Sequence, residues 1–281
     1  MKYSKCLIIL VCCFVFTACE NPFGNDKISG GRKHISGTIV LGDGLSPEGT
    51  FIYLEIADVY TRADQNGKFE LQLPTTASMS QMNGVYLLVA FMGGYYPGEA
   101  NVAIENGQIA YGQESLDQDG KLKQTLELKR ALYVSSIIDP DLHINGITKG
   151  DTVRTTLETI TDTLGVLIPK GSIYRLGGIL LKEIHSGETT TLYLSGNNGI
   201  PSWLTVEPAS KVISFIIDPD SVTLETGFYK VTPWVLPYHH PLLQRLYSKM
   251  GVNTETLNDS YLDIPFHRVD ADFTVTADLP E

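Results

Sequence analysis

Six histidines are spread along the 281 residues, and only His239, His240 and His267 fall near one another, with Asp259 and Asp263 in the same stretch. Imidazoles with carboxylates are the donor set of a zinc site or of general acid–base chemistry. Neighbouring residues on a strand point to opposite faces, so His239 and His240 reach one metal ion only if the backbone bends between them. Solvated loop histidines are the simpler reading. DQDG at 117–120 opens like a calcium loop, but no bidentate glutamate follows at the required distance, and a hairpin turn fits it better. The sequence carries no nucleophile elbow, phosphate-binding loop, dinucleotide fingerprint or paired-histidine zinc motif. No two carboxylates stand out as an acid–base pair. These residues point to no catalytic group, metal or cofactor.

Aromatic side chains give the one positive sign of a binding surface. Trp234, Tyr238, His239 and His240 lie within seven positions of one another, and Tyr95 and Tyr96 sit in the turn GGYYPG. Exposed rings stack on sugar faces or on partner chains. The competing reading of Trp234 is a core residue.

These residues have to be positioned by elements, and the start of the chain says where those elements reside. Lys2 and Lys5 precede an apolar run over residues 6–16, then small Thr17 and Ala18, then Cys19. Charged, apolar, small is the order of an export signal, and a dozen apolar residues are short of the ~20 a spanning helix needs. Residues 16–19, FTAC, resemble the lipobox of bacterial lipoproteins, with phenylalanine where leucine is usual. The resemblance implies a leader over 1–18 and a diacylated Cys19 as the new N-terminus, an anchor to which each buried methylene contributes ~0.8 kcal/mol. An ordinary secreted protein cleaved after Ala18 is the alternative. Cys6, Cys12 and Cys13 would leave with the leader, so no disulfide is expected. Loss of Lys2 and Lys5 lowers the basic count from 21 to 19 against 32 acidic residues, a net of −13. That charge repels phosphate backbones and argues against nucleic acid as a partner. ENPFGNDKISGGRK, residues 20–33, reads as a flexible tether.

From His34 the apolar period is two. Ile52, Leu54 and Ile56 share one face of TFIYLEIA, and Phe69, Leu71 and Leu73 one face of KFELQL. GVYLLVAFM, 84–92, is apolar on both faces and reads as a central strand. Turns such as GDGLSPEG, DQNG and ENG recur at the short spacing of a sandwich or barrel. Residues 35–74 resemble the start of a carboxypeptidase regulatory-like, transthyretin-type domain, on I-x-G-x-I, a Gly-rich turn and T-x-x-D-x-x-G-x-F-x-L-x-L-P. The resemblance implies a non-catalytic seven-stranded sandwich ending near Lys129.

Past Arg130 short strands and turns continue, and IIDPD occurs twice, at 137–141 and 216–220, where Asp-Pro stops a strand. Residues 197–236 resemble a BACON-type, immunoglobulin-like domain, on N-x-G, W-L-x-V-x-P and L-x-x-G-x-Y; PASK at 208–211 stands where a glycine turn is usual. By that resemblance Trp203 is the core aromatic and Tyr229 a tyrosine corner. HPLLQRLYSKMG breaks the β pattern: Leu242, Leu243, Leu246, Tyr247 and Met250 have helical spacing, with Pro241 at the first turn and Gly251 as the stop. Residues 237–265 therefore form a long insertion, of a length that is often functional.

The resulting expectation is an all-β chain of two tandem sandwiches, 34–130 and 131–281, with one short helix near the C-terminus. Its expected function is a lipid-anchored, non-catalytic envelope or surface module without cofactor, at the outer membrane or cell surface, whose partner is a glycan or another envelope protein. A carbohydrate-binding accessory lipoprotein and a hydrolase with a site within 237–267 are the alternatives.

Overall fold

The computed structural model describes residues 32–75, 81–139, 152–169, 176–193, 200–217, 224–238 and 240–275. Cys19, His143 and His239, with most of the two Asp-Pro strand ends, lie outside the described residues.

The N-terminal part contains β1 (His34–Leu41), β2 (Phe51–Leu54), β3 (Val59–Arg62), β4 (Lys68–Gln72), β5 (Gly84–Phe91), β6 (Gly98–Glu105), β7 (Gln108–Ile109) and β8 (Leu126–Leu128). One sheet runs β4-β1-β8, with β1 antiparallel to β4 and parallel to β8; the other runs β3-β2-β5-β6-β7 and is antiparallel throughout. Ile35, Ile39, Phe69 and Leu71 of the first sheet meet Ile52, Leu88 and Ala90 of the second in one core. The turn after β3 follows from its sequence: the Asp64 carboxylate accepts the N–H of Asn66 and Lys68, and Gly67 takes φ +74°. A Cβ at Gly67 would stand 2.0 Å from the Ile39 carbonyl oxygen, so only glycine fits. DQDG at 117–120 closes in the same way, with Asp117 accepting from Asp119 and Lys121 and Gly120 at φ +78°.

The C-terminal part contains β9 (Leu132–Asp139), β10 (Thr152–Thr159), β11 (Leu164–Pro169), β12 (Gly178–Glu183), β13 (Thr189–Tyr193), β14 (Pro201–Val206), β15 (Ser210–Ile216), β16 (Gly227–Pro233), β17 (Leu236–Pro237) and β18 (Ala271–Val275). They form sheets β15-β10-β9, β14-β11-β17 and β13-β12-β16-β18 around a second core that includes Leu157, Val166, Ile179, Leu181, Ile213 and Val231. The tyrosine corner forms: the Tyr229 hydroxyl donates to the Glu225 carbonyl at 3.0 Å, and its ring stacks on Phe273.

The helix read from HPLLQRLYSKMG is α1 (Leu243–Lys249), and Gly251 ends it at φ +77°. Its apolar face enters a third core. Phe51, Tyr53, Val89 and Phe91 come to it from the outer face of the five-stranded sheet, and Leu180, Trp234 and Leu236 from the C-terminal sheets. Leu243, Leu246 and Tyr247 fill it from α1, and Tyr261 from a 3-10 helix (Asp259–Asp263). Two expectations about strand faces are corrected here. Every residue of β2 is buried, because one face meets the first core and the other meets α1. Ile56 shares no face with Ile52: the strand ends at Leu54, and Ile56 is 37% exposed in the turn that follows. β5 is buried on both faces only in its second half, and Val85 near its start is exposed.

Polar groups in this joint are largely paired. The Tyr247 hydroxyl donates to the Pro237 carbonyl at 2.6 Å, and the Tyr261 hydroxyl donates to the Val235 carbonyl at 2.9 Å while accepting the Val235 N–H. Burial drives both tyrosine pKa values upward, so both rings stay neutral. On the rim Arg245 pairs with Glu55 and Lys249 with Asp58, tying α1 to the β2–β3 turn.

A candidate binding surface

Trp203 was expected in the core and is not there. It lies on β14, the edge strand of its sheet, with 62% of its surface exposed. Strand alternation explains this: Leu204 and Val206 turn inward, leaving Trp203 and Thr205 on the outside. Its indole comes down on Gly165 of the neighbouring strand β11, where a Cβ would sit 3.1 Å from the ring. No positive φ is recorded at Gly165, so it is ring space and not backbone conformation that calls for glycine. Tyr238 braces the indole edge-on, with ring centroids 5.0 Å apart and planes at 80°. The Tyr238 hydroxyl in turn donates to the Oε1 of Gln244 on α1 at 2.6 Å. A strand, a turn and the helix thus converge on one exposed indole.

Trp234 shows the reverse. It is fully buried in the third core, 5.8 Å from the Tyr261 ring, and its Nε1 makes no hydrogen bond. This corrects its reading as a surface aromatic, since Trp234, Val235 and Leu236 are all at 0% exposure between two packed layers. Tyr95 is likewise buried. Tyr96 is half-buried, and its hydroxyl donates to Asp162. Of the four aromatic and imidazole residues picked from sequence, half-buried Tyr238 packs against the exposed Trp203. His240 is held beside it by other groups: its Nδ1 accepts the Leu242 N–H, and its Nε2 is 3.5 Å from Glu99.

The remaining polar residues do not converge on one site. The His267 Nε2 bonds to the Ser46 carbonyl at 2.6 Å, the Asp263 carbonyl accepts from Arg62, and Asp259 is exposed at the start of the 3-10 helix. Among the described residues no three His, Cys, Asp or Glu side chains come together as a metal site. A hollow of about 620 Å³ is rimmed by Glu183, Glu188, Glu225 and His185. Glu183 is held down at about 2, first by the Ser186 N–H it accepts, and so serves as a turn acceptor.

A second hollow of about 400 Å³ lies where the N-terminal sheets meet β9, lined by Asp43, Tyr96, Arg130 and Tyr133. There the Arg130 guanidinium sits 4.0 Å from the Tyr95 ring centroid and 4.7 Å from that of Tyr133. It bonds to Asp43 through Nε and Nη2, and to the His267 carbonyl through Nη1. No described helix is long and apolar enough to cross a membrane.

Comparison with known proteins yields no matching family model and no matching curated protein. Among solved structures the chain is similar to the Bacillus anthracis TIE protein at 9% identity and a TM-score of 0.23, over 87% of this chain and 34% of that one. It is similar to BcpA, the major pilin subunit of Bacillus cereus, at 12% identity and a TM-score of 0.25, over 74% of this chain and 67% of the pilin.

Proposed function

We propose that this chain is a non-catalytic module of a bacterial envelope, tethered by a lipid on Cys19 and held off the membrane by residues 20–33. Residues 34–130 and 131–281 are its two sandwich domains, and they act as one stiff body. The observation that supports this best is the third core. Fourteen of the described residues are buried in it and join the two sandwiches, where a flexible linker would leave each free to turn. His240, His267 and Asp117, among the ionisable residues that sequence offered for chemistry, hold backbone groups through their side chains, which favours a presenting scaffold over a hydrolase. The partner of that scaffold is a glycan or another envelope protein, met at the surface around Trp203 and Tyr238.

Metabolic labelling with an alkyne fatty acid tests the tether. Wild-type protein takes up label and fractionates with membranes, whereas Cys19→Ser is unlabelled and released. An unlabelled, released wild type defeats the proposal.

A further inference from the structure

We propose that Trp203, Tyr238 and Gln244 form a binding site for a neutral glycan, with one pyranose ring lying on the Trp203 indole. This rests on the binding-module reading above and names the ligand class. Three features of the site fit a sugar. The indole is held at a set angle before any ligand arrives, by Gly165 beneath it and Tyr238 at its edge, so little order is lost on binding. The indole is 62% exposed, and its apolar face is of the kind that stacks on the C–H face of a pyranose. Two polar groups belong to the same assembly: Thr205 on the strand face of Trp203, and Gln244, whose Oε1 is taken by the hydroxyl of the Tyr238 that packs on the indole, leaving its amide nitrogen to donate to a sugar hydroxyl. The chain's net charge of −11 disfavours anionic sugars and phosphates, which leaves neutral glycans.

The test is a titration of the folded chain with cellohexaose, laminarihexaose and mannohexaose, read for wild type and variants by isothermal titration calorimetry. Trp234 is sealed in the core, so tryptophan emission followed in parallel reports on the exposed Trp203 of the wild type. At least one oligosaccharide gives a saturable change. Trp203→Ala weakens that binding at least about tenfold, which corresponds to 1.4 kcal/mol, and Gln244→Ala weakens it by a smaller factor. Because the indole is exposed, Trp203→Ala keeps the wild-type melting temperature, which separates lost binding from lost folding. No response to any of the three sugars overturns the proposal, as does binding that survives Trp203→Ala. An emission shift with neutral phosphatidylcholine vesicles and none with the sugars assigns the indole to a lipid surface and overturns it too. Fatty-acid labelling at Cys19 is read separately, so the tether and the sugar site can fail independently.

Discussion

The Arg130 guanidinium lies 2.6 Å from the Asp43 carboxylate, with 4% and 18% of the two side chains exposed, and joins the turn after β1 to the segment entering β9. The arginine is also held between Tyr95 and Tyr133, and Tyr95 donates its hydroxyl to the same carboxylate at 2.9 Å. Removing either charge leaves the other without its partner at the edge of the hollow. Arg130→Ala is expected to destabilise the fold by about 3 kcal/mol, measured by urea unfolding at pH 7. A loss within experimental error would mean that the pair is solvated in solution.

The same pair sets an acid limit. Burial pushes the Asp43 carboxyl up, but the hydrogen bonds from Tyr95, the Leu45 N–H and Arg130 outweigh it, and the folded value ends below the ordinary 3.8. A depressed carboxylate contributes stability that is complete above the unfolded value and disappears as pH falls through the folded one. Melting temperature should therefore fall on acidification below about pH 4, and fall less steeply in Asp43→Asn. Equal slopes would remove Asp43 from the account.

Trp234 is the largest side chain at the centre of the third core. Trp234→Ala leaves a cavity and is expected to cost about 3–5 kcal/mol. The shape of the transition is the sharper readout. Wild type should unfold in one step by calorimetry, and the variant in two, as each sandwich melts alone. A two-step wild type would show that the joint does not couple them.

Tyr229→Phe deletes one hydroxyl and its bond to the Glu225 carbonyl while keeping the stack on Phe273. The expected loss is about 1 kcal/mol in urea unfolding. Gly67→Ala adds one methyl where the Ile39 carbonyl stands and should cost more than about 1 kcal/mol. A neutral Gly67→Ala would mean that the turn opens elsewhere.

Much of the β architecture was legible in local pattern. DQNG and its following Phe69, the helical spacing of 242–250 and the tyrosine corner each carry their own physics, and each forms as read. What alternation could not show was which strands have two covered faces. Ile56 failed because β2 stops at Leu54, and Phe51 and Tyr53 proved buried because a segment nearly two hundred residues later packs on them. The two tryptophans were interchanged for a related reason. The motif around Trp203 points to the core, although Leu204 and Val206 already claim the inward face of its strand. Trp234 sits in an apolar run, VTPWVLP, that reads as buried on both sides once a second layer is known to exist.

The packing of residues 51, 53, 89 and 91 against 234–264 also has a consequence in time. A chain emerging N-terminus first presents that greasy sheet face long before its cover has been made. Until then the early half is a sticky intermediate, vulnerable to self-association and a natural client for a holding chaperone.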